Sequence, residues 1–148
     1  MNKKEVSQRV LQNGEPLPID KFAWDEDTNT FSSIEPDLVL DFNEVNNCTF
    51  KTGDYCTFDT GYGCTFNTRS NCTFKTEFDC TFKTRSNCTF DTGEECVVVR
   101  RDVYEIIELK KGEKIKLNGY EETGYTVIQE CEKFPECHQV LKGENNNE

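Results

Sequence analysis

The chain has 148 residues with 17 basic and 28 acidic side chains, a net charge of −11, and nine cysteines. This is enough for one domain or a short repeat array, no window approaches the ~18 apolar residues of a membrane span, and the excess acid argues against direct nucleic-acid binding. The start, MNKKEVSQRV, has neither an apolar h-region nor a small-residue cleavage site, so a cytoplasmic chain with reduced thiols is expected.

Residues 2–13 read as a short helix, with Asn2 as N-cap, Val6, Val10 and Leu11 as a narrow apolar stripe, and Gly14 as the C-terminal stop. Pro16 and Pro18 then impose extended chain. Phe22 and Trp24 alternate with polar neighbours and Phe31 follows DEDTNT, the pattern of a hairpin. Asp25, Asp27 and Asn29 resemble half of an EF-hand loop. The sixth-position Gly and the terminal Glu are missing, so a polar turn is the reading.

From Cys48 onward the sequence repeats every eight residues: CTFKTGDY, CTFDTGYG, CTFNTRSN, CTFKTEFD, CTFKTRSN and CTFDTGEE, followed by Cys96. A fixed period without insertions is the signature of a stacked repeat architecture. In a strand, alternate side chains face opposite ways. One face of each unit therefore carries Cys, Phe and the second Thr: the ladder Cys48, Phe50, Cys56, Phe58, Cys64, Phe66, Cys72, Phe74, Cys80, Phe82, Cys88 and Phe90, closed by Cys96.

The other face carries the first Thr and a polar residue: Thr49 and Lys51, Thr57 and Asp59, Thr65 and Asn67, Thr73 and Lys75, Thr81 and Lys83, Thr89 and Asp91. The last three residues of each unit have turn chemistry. The second threonines (Thr52, Thr60, Thr68, Thr76, Thr84 and Thr92) are expected to close each strand with hydroxyl-to-backbone bonds. Asn47, Asn71 and Asn87, which precede Cys-Thr, suit corners with positive φ better than glycosylation.

Eight residues cannot close a β-coil alone, so a two-sided coil of sixteen or a three-sided coil follows, with an antiparallel meander as the competing fold. The register extends upstream, with Leu40 at the Cys place and Phe42 at the Phe place. Downstream, Cys96 and Val98, then Tyr104 and Ile106, take the same two places. The expected organisation is an N-terminal cap (1–39), an all-β parallel solenoid (40–109), a β-hairpin built on turn signals such as Asn118-Gly119 (110–130) and a polar tail (131–148), with degenerate end units as caps.

The repeat, with DKFAWDEDTNTFSS before it and CVVVRRDVYEIIELKKGEKIKLNGY after it, resembles the Cys-Thr-Phe octapeptide-repeat proteins of bacteria and their phages. The likeness spans most of residues 20–127. It implies a bacterial or phage-infected cell but no particular activity, since none is assigned to that group. Pentapeptide-repeat proteins, some of them mimics of duplex DNA, offer a looser architectural likeness without the shared motif.

The cysteine spacing does not match the Cys-x2–4-Cys pairs of zinc sites. Cys131, Cys137 and His138 form the one other cluster, three ligands of a possible four. With a single His and no Lys in the glycine-containing GYGCTFNT, no catalytic constellation stands out, and neither enzyme activity nor a cofactor is expected. The expectation is a non-enzymatic scaffold or protein-interaction module. Its contact surface would be the outward Thr and variable columns with the corner aromatics Tyr55, Tyr62 and Phe78, its partner a protein, and end-to-end stacking a route to oligomers. The alternatives are an acidic nucleic-acid mimic that inhibits a DNA-binding enzyme and an ice-binding surface. The latter is disfavoured because the two Thr of each unit face opposite ways.

Overall fold

The computed structural model describes residues 1–128 and the strand 140–141. Cys131, Cys137, His138 and most of the polar tail expected over 131–148 lie outside the described residues, but Val140–Leu141 within that tail form a strand. Among the described residues, no helix is long and apolar enough to cross a membrane.

The fold is an all-β parallel solenoid of about four turns. Each octapeptide supplies one short strand: β6 (Thr49–Lys51), β7 (Thr57–Thr60), β8 (Thr65–Asn67), β9 (Thr73–Lys75), β10 (Thr81–Thr84) and β11 (Thr89–Asp91). Odd and even units go to different sheets. β6, β8 and β10 pair in parallel with Phe50, Phe66 and Phe82 in register, while β7, β9 and β11 align Phe58, Phe74 and Phe90. The coil is therefore two-sided, and the antiparallel meander is excluded for the array.

Its cohesion comes from one aromatic zipper. Within a column the rings stack, Phe66 on Phe82 at 4.8 Å and 8° and Phe58 on Phe74 at 5.0 Å and 4°. Across the coil they meet edge to face, Phe58 on Phe66 at 5.2 Å and 77°. Both are favoured geometries for ring quadrupoles and add to the burial term. All six repeat phenylalanines are at most 1% exposed.

Corner backbone explains the third motif element. The residue before every array cysteine has positive φ, from Asn47 (60°) through Tyr55, Gly63, Asn71, Asp79 and Asn87 to Glu95 (59°). Asn and Gly suit that region, as expected for Asn47, Asn71 and Asn87; Tyr55 and Glu95 are held there against preference. The thiols do structural work as well. Each array Sγ faces a corner carbonyl, for example Cys72 to Gly53 O at 3.4 Å and Cys88 to Arg69 O at 3.3 Å. A small, apolar residue with a weak donor fits that place.

The second threonines behave as expected in part. Thr60, Thr76, Thr84 and Thr92 donate to the next carbonyl, whereas the buried Thr52 and Thr68 hydroxyls find no hydrogen-bond partner.

The ends differ from the expected extension of the repeat. Upstream, the parallel rungs begin at β4 (Thr30–Ser32), with Phe31 in register with Phe50, and at β5 (Leu38–Phe42). Leu40 pairs with Phe58 and Phe42 with Thr60, so Leu40 takes the Phe place and Phe42 the second-Thr place. This register lies two residues from the expected one. The two-residue slip keeps the alternation of faces, which is why Leu38, Leu40 and Phe42 are still buried. Downstream, β12 (Cys96–Arg100) keeps the parallel register, with Val98 beside Phe82. The chain then turns back, and β13 (Glu105–Leu109) runs antiparallel to β12. Tyr104 and Ile106 are thus exposed rather than interior, and Ile107 and Leu109 are buried in their stead. A chain reversal changes which alternate residues face inward.

Antiparallel strands close both ends of both sheets. On one sheet β3 (Ala23–Asp25) covers β4, forming the expected hairpin, and β13 covers β12. On the other, β1 (Val10–Gln12) covers β5, and β14 (Lys114–Leu117) covers β11. β2 (Glu15–Pro16), β15 (Tyr125–Ile128) and β16 (Val140–Leu141) extend that sheet. The expected helix is consequently short: α1 (Lys3–Ser7) has Asn2 as its N-cap in a capping box with Glu5, and Val10 and Leu11 belong to β1. Asn13 and Gly14, both at positive φ, are the two-residue turn of a hairpin rather than a helix stop. Packing Val10 against Leu40 overrides the weak helical stripe.

Candidate functional site

Alternation between sheets distributes the expected contact residues over four surfaces. Thr49, Lys51, Thr65, Asn67, Thr81 and Lys83 share the outer face of one sheet. Thr57, Asp59, Thr73, Lys75, Thr89 and Asp91 share the outer face of the other. Lys75 therefore does not lie with Lys51 and Lys83. Each sheet carries a single column of outward Thr next to charged or amide residues. The second Thr of each unit is interior, as the alternation requires.

The corners also alternate. Tyr55, Ser70 and Ser86 stack along a first edge through Tyr55 N–H to Ser70 O and Asn71 N–H to Ser86 O. Tyr62, Phe78 and Glu94 stack along the second edge through Gly63 N–H to Phe78 O and Asp79 N–H to Glu94 O. Tyr55 is thus separated from the other two aromatics, while Tyr62 and Phe78 come together, their rings stacked at 4.8 Å and 9°. Phe78 is 46% exposed.

The segregation extends to charge. Arg69, Arg85 and Arg101 occupy equivalent corner places on the first edge, whereas Glu77, Asp79, Glu94 and Glu95 lie on the second. Asp54 and Asp102 also stand at first-edge corners, so the second edge is the acidic one and the first is close to neutral, a feature hidden until the sixteen-residue coil is known. Among the charges of the second edge, Glu94 meets Lys111 at 3.7 Å.

Glycines let the second edge close up. A Cβ on Gly93 would meet the Glu77 carbonyl carbon and the Phe78 nitrogen at 2.9 Å, and one on Gly61 would collide with the Asn46 side chain. The aromatic pair thus rests on corners packed tightly upon one another.

The thiols lie inside. The seven array cysteines are all free and buried. Burial, with the Cys64 thiol second, pushes Cys48 up to about 11. In the same column Cys80, hydrogen-bonded to the Cys64 and Cys96 thiols, is pushed far up. Its hydrogen bonds draw Cys64 and Cys96 down, to about 7 and about 6. A thiolate at either would face backbone carbonyls, such as Glu77 O at 3.3 Å from Cys96. Burial opposes that lowering at both thiols. Among the described residues no group of three or more His, Cys, Asp or Glu is placed to hold a metal ion.

No protein-family model, curated protein or solved structure matches the chain.

Proposed function

We propose that the protein is a non-enzymatic interaction module, a rigid coil that presents its second edge to a protein partner. The observation that supports this reading is the Tyr62–Phe78 stack, half-buried at Tyr62 and exposed at Phe78, on glycine-packed corners. Aromatic side chains fixed in advance lose little entropy on binding and are typical anchors of protein interfaces. Glu77, Asp79, Glu94 and Glu95 border the stack, so the complementary partner surface is apolar at its centre and basic at its rim.

A photo-crosslinking residue at position 78 tests this in cells. The expected result is one discrete adduct, lost with Tyr62→Ser and absent when the crosslinker sits at position 85 on the first edge. Equal labelling from both positions, or none from 78, would overturn the reading.

The same four carboxylates are the observation that favours the second reading, an acidic mimic of nucleic acid. Duplex DNA presents one charge per ~1.7 Å of axis, which is denser than this edge, where Lys111 also neutralises Glu94. The mimic predicts inhibition competitive with DNA that Glu77→Gln/Glu94→Gln relieves. Inhibition unchanged in that variant would sink it.

A further inference from the structure

The first edge carries a feature that the interaction ridge does not use. An open groove of about 950 Å³ lies between the N-terminal cap and the sheet bearing Lys51, a size ordinary for small-molecule sites. Lys21, Lys51, Arg69 and Arg101 line it, together with Asn67 and Ser32.

The state of these cations is unusual for so acidic a chain. Among the described residues the ion pairs are Lys21–Glu35, Arg100–Asp102 and Lys111–Glu94. Lys51, Arg69 and Arg101 therefore have no carboxylate partner, although acidic side chains number 28 against 17 basic ones. Arg101 spends one Nη2 hydrogen bond on Thr68 O at 3.0 Å, leaving most of its guanidinium donors unused. Two carboxylates, Asp20 and Asp54, also line the groove. Asp54 is already engaged, since its Oδ1 accepts the Ser70 N–H at 2.9 Å.

Unpaired cations facing one concavity repel one another and focus a positive potential into it. Guanidinium and ammonium groups there suit an oxyanion, with Arg providing paired donors and Lys a point charge. One wall is apolar: Ile34, 92% exposed, and Pro36 stand at the same groove. An isoleucine so exposed on a loop beside unpaired cations fits a ligand with a charged head and an apolar body.

We propose that this groove binds an anionic small molecule of up to nucleotide size, its phosphate or carboxylate group held by Lys51, Arg69 and Arg101 and its apolar part resting on Ile34 and Pro36. The site is separate from the Tyr62–Phe78 edge, so it stands or falls independently of the interaction reading.

Calorimetric titration of the full chain with pyrophosphate, citrate, inorganic phosphate, AMP and adenosine at constant ionic strength tests it. Saturable binding of pyrophosphate or citrate is expected, and comparing the two identifies phosphate or carboxylate as the preferred head. AMP should bind more tightly than inorganic phosphate, and adenosine should not bind. Lys51→Gln/Arg69→Gln should weaken the anions by roughly tenfold or more, while Lys75→Gln on the opposite face leaves them unchanged. Ile34→Ser should weaken AMP and spare pyrophosphate. The side chains at 51 and 69 are exposed and the fold does not need them, and matched thermal melts establish that for each variant. Absence of saturable binding of every anion up to about 10 mM, or equal affinity in the Lys51/Arg69 variant, would overturn the proposal.

Discussion

At the scale of single residues, one motif position does one physical job. Phe66 stacks on Phe50 at 5.2 Å and on Phe82 at 4.8 Å, and meets Phe58 and Phe74 edge-on. Truncation there removes four ring contacts and leaves a cavity that the rigid rungs cannot collapse. Phe66→Ala should therefore cost about 3–5 kcal/mol, read as a lower denaturation midpoint, with Phe66→Leu losing much less. Tyr55 shows the opposite case, a residue working against its own conformational preference. Its side chain is 58% exposed and its φ is 61°, where Asn serves in three other units. Tyr55→Asn should stabilise the coil by up to about 1 kcal/mol. An unchanged or lower melting temperature would show that the exposed ring contributes more than the backbone loses.

At the scale of elements, the strands of the array are short and gain their stability from stacking, so the decisive places are where stacking stops. Arg100 stands at the inward second-Thr place of β12 and is fully buried. Its guanidinium pairs with Asp102 through Nε at 3.1 Å and Nη2 at 2.6 Å, and Nη1 donates to Glu122 O at 2.6 Å. These bonds tie the turn after β12 to the loop between β14 and β15. Asp102→Ala strands a buried cation and should cost about 3–5 kcal/mol, whereas Arg100→Leu/Asp102→Ala should recover most of that loss. Chemical denaturation of both variants measures the difference, and equal losses would refute the ion-pair account.

At the scale of the whole molecule, the interior is a buried zipper of rings flanked by thiols, closed by antiparallel strands at both ends of each sheet. Cys48 illustrates the pH consequence. Its folded value, about 11, lies above the usual 9.0. The folded state then holds its proton when the unfolded chain has released it. The contribution of Cys48 is full below about pH 9 and is lost as pH rises towards about 11. Stability measured by denaturant should fall across that window, and Cys48→Ala should make the fall shallower. At neutral pH the seven array thiols should label slowly in the native protein and fast after unfolding. Rapid native labelling of all seven would contradict the buried ladder.

The repeat by itself determined the inward and outward faces, the strand-and-corner rhythm and the positive φ at Asn47, Asn71 and Asn87, because alternation and backbone preference are local properties. It also marked the hairpin around DEDTNT. What the linear order could not decide was which units are neighbours. Phe50 meets Phe66 as a stacked partner and Phe58 as an edge-on one, and only closing the coil at sixteen residues makes that distinction. The same closure separates Tyr55 from Tyr62 and Phe78, and Lys75 from Lys51 and Lys83. The chain reversal after Arg100 likewise turned Tyr104 and Ile106 outward, since antiparallel closure satisfies the last rung where a further parallel unit would leave it open. The cationic groove is tertiary in the strictest sense. Lys21, Lys51, Arg69 and Arg101 are spread over four segments, and stacking of the coil against its N-terminal cap is what brings them to one place.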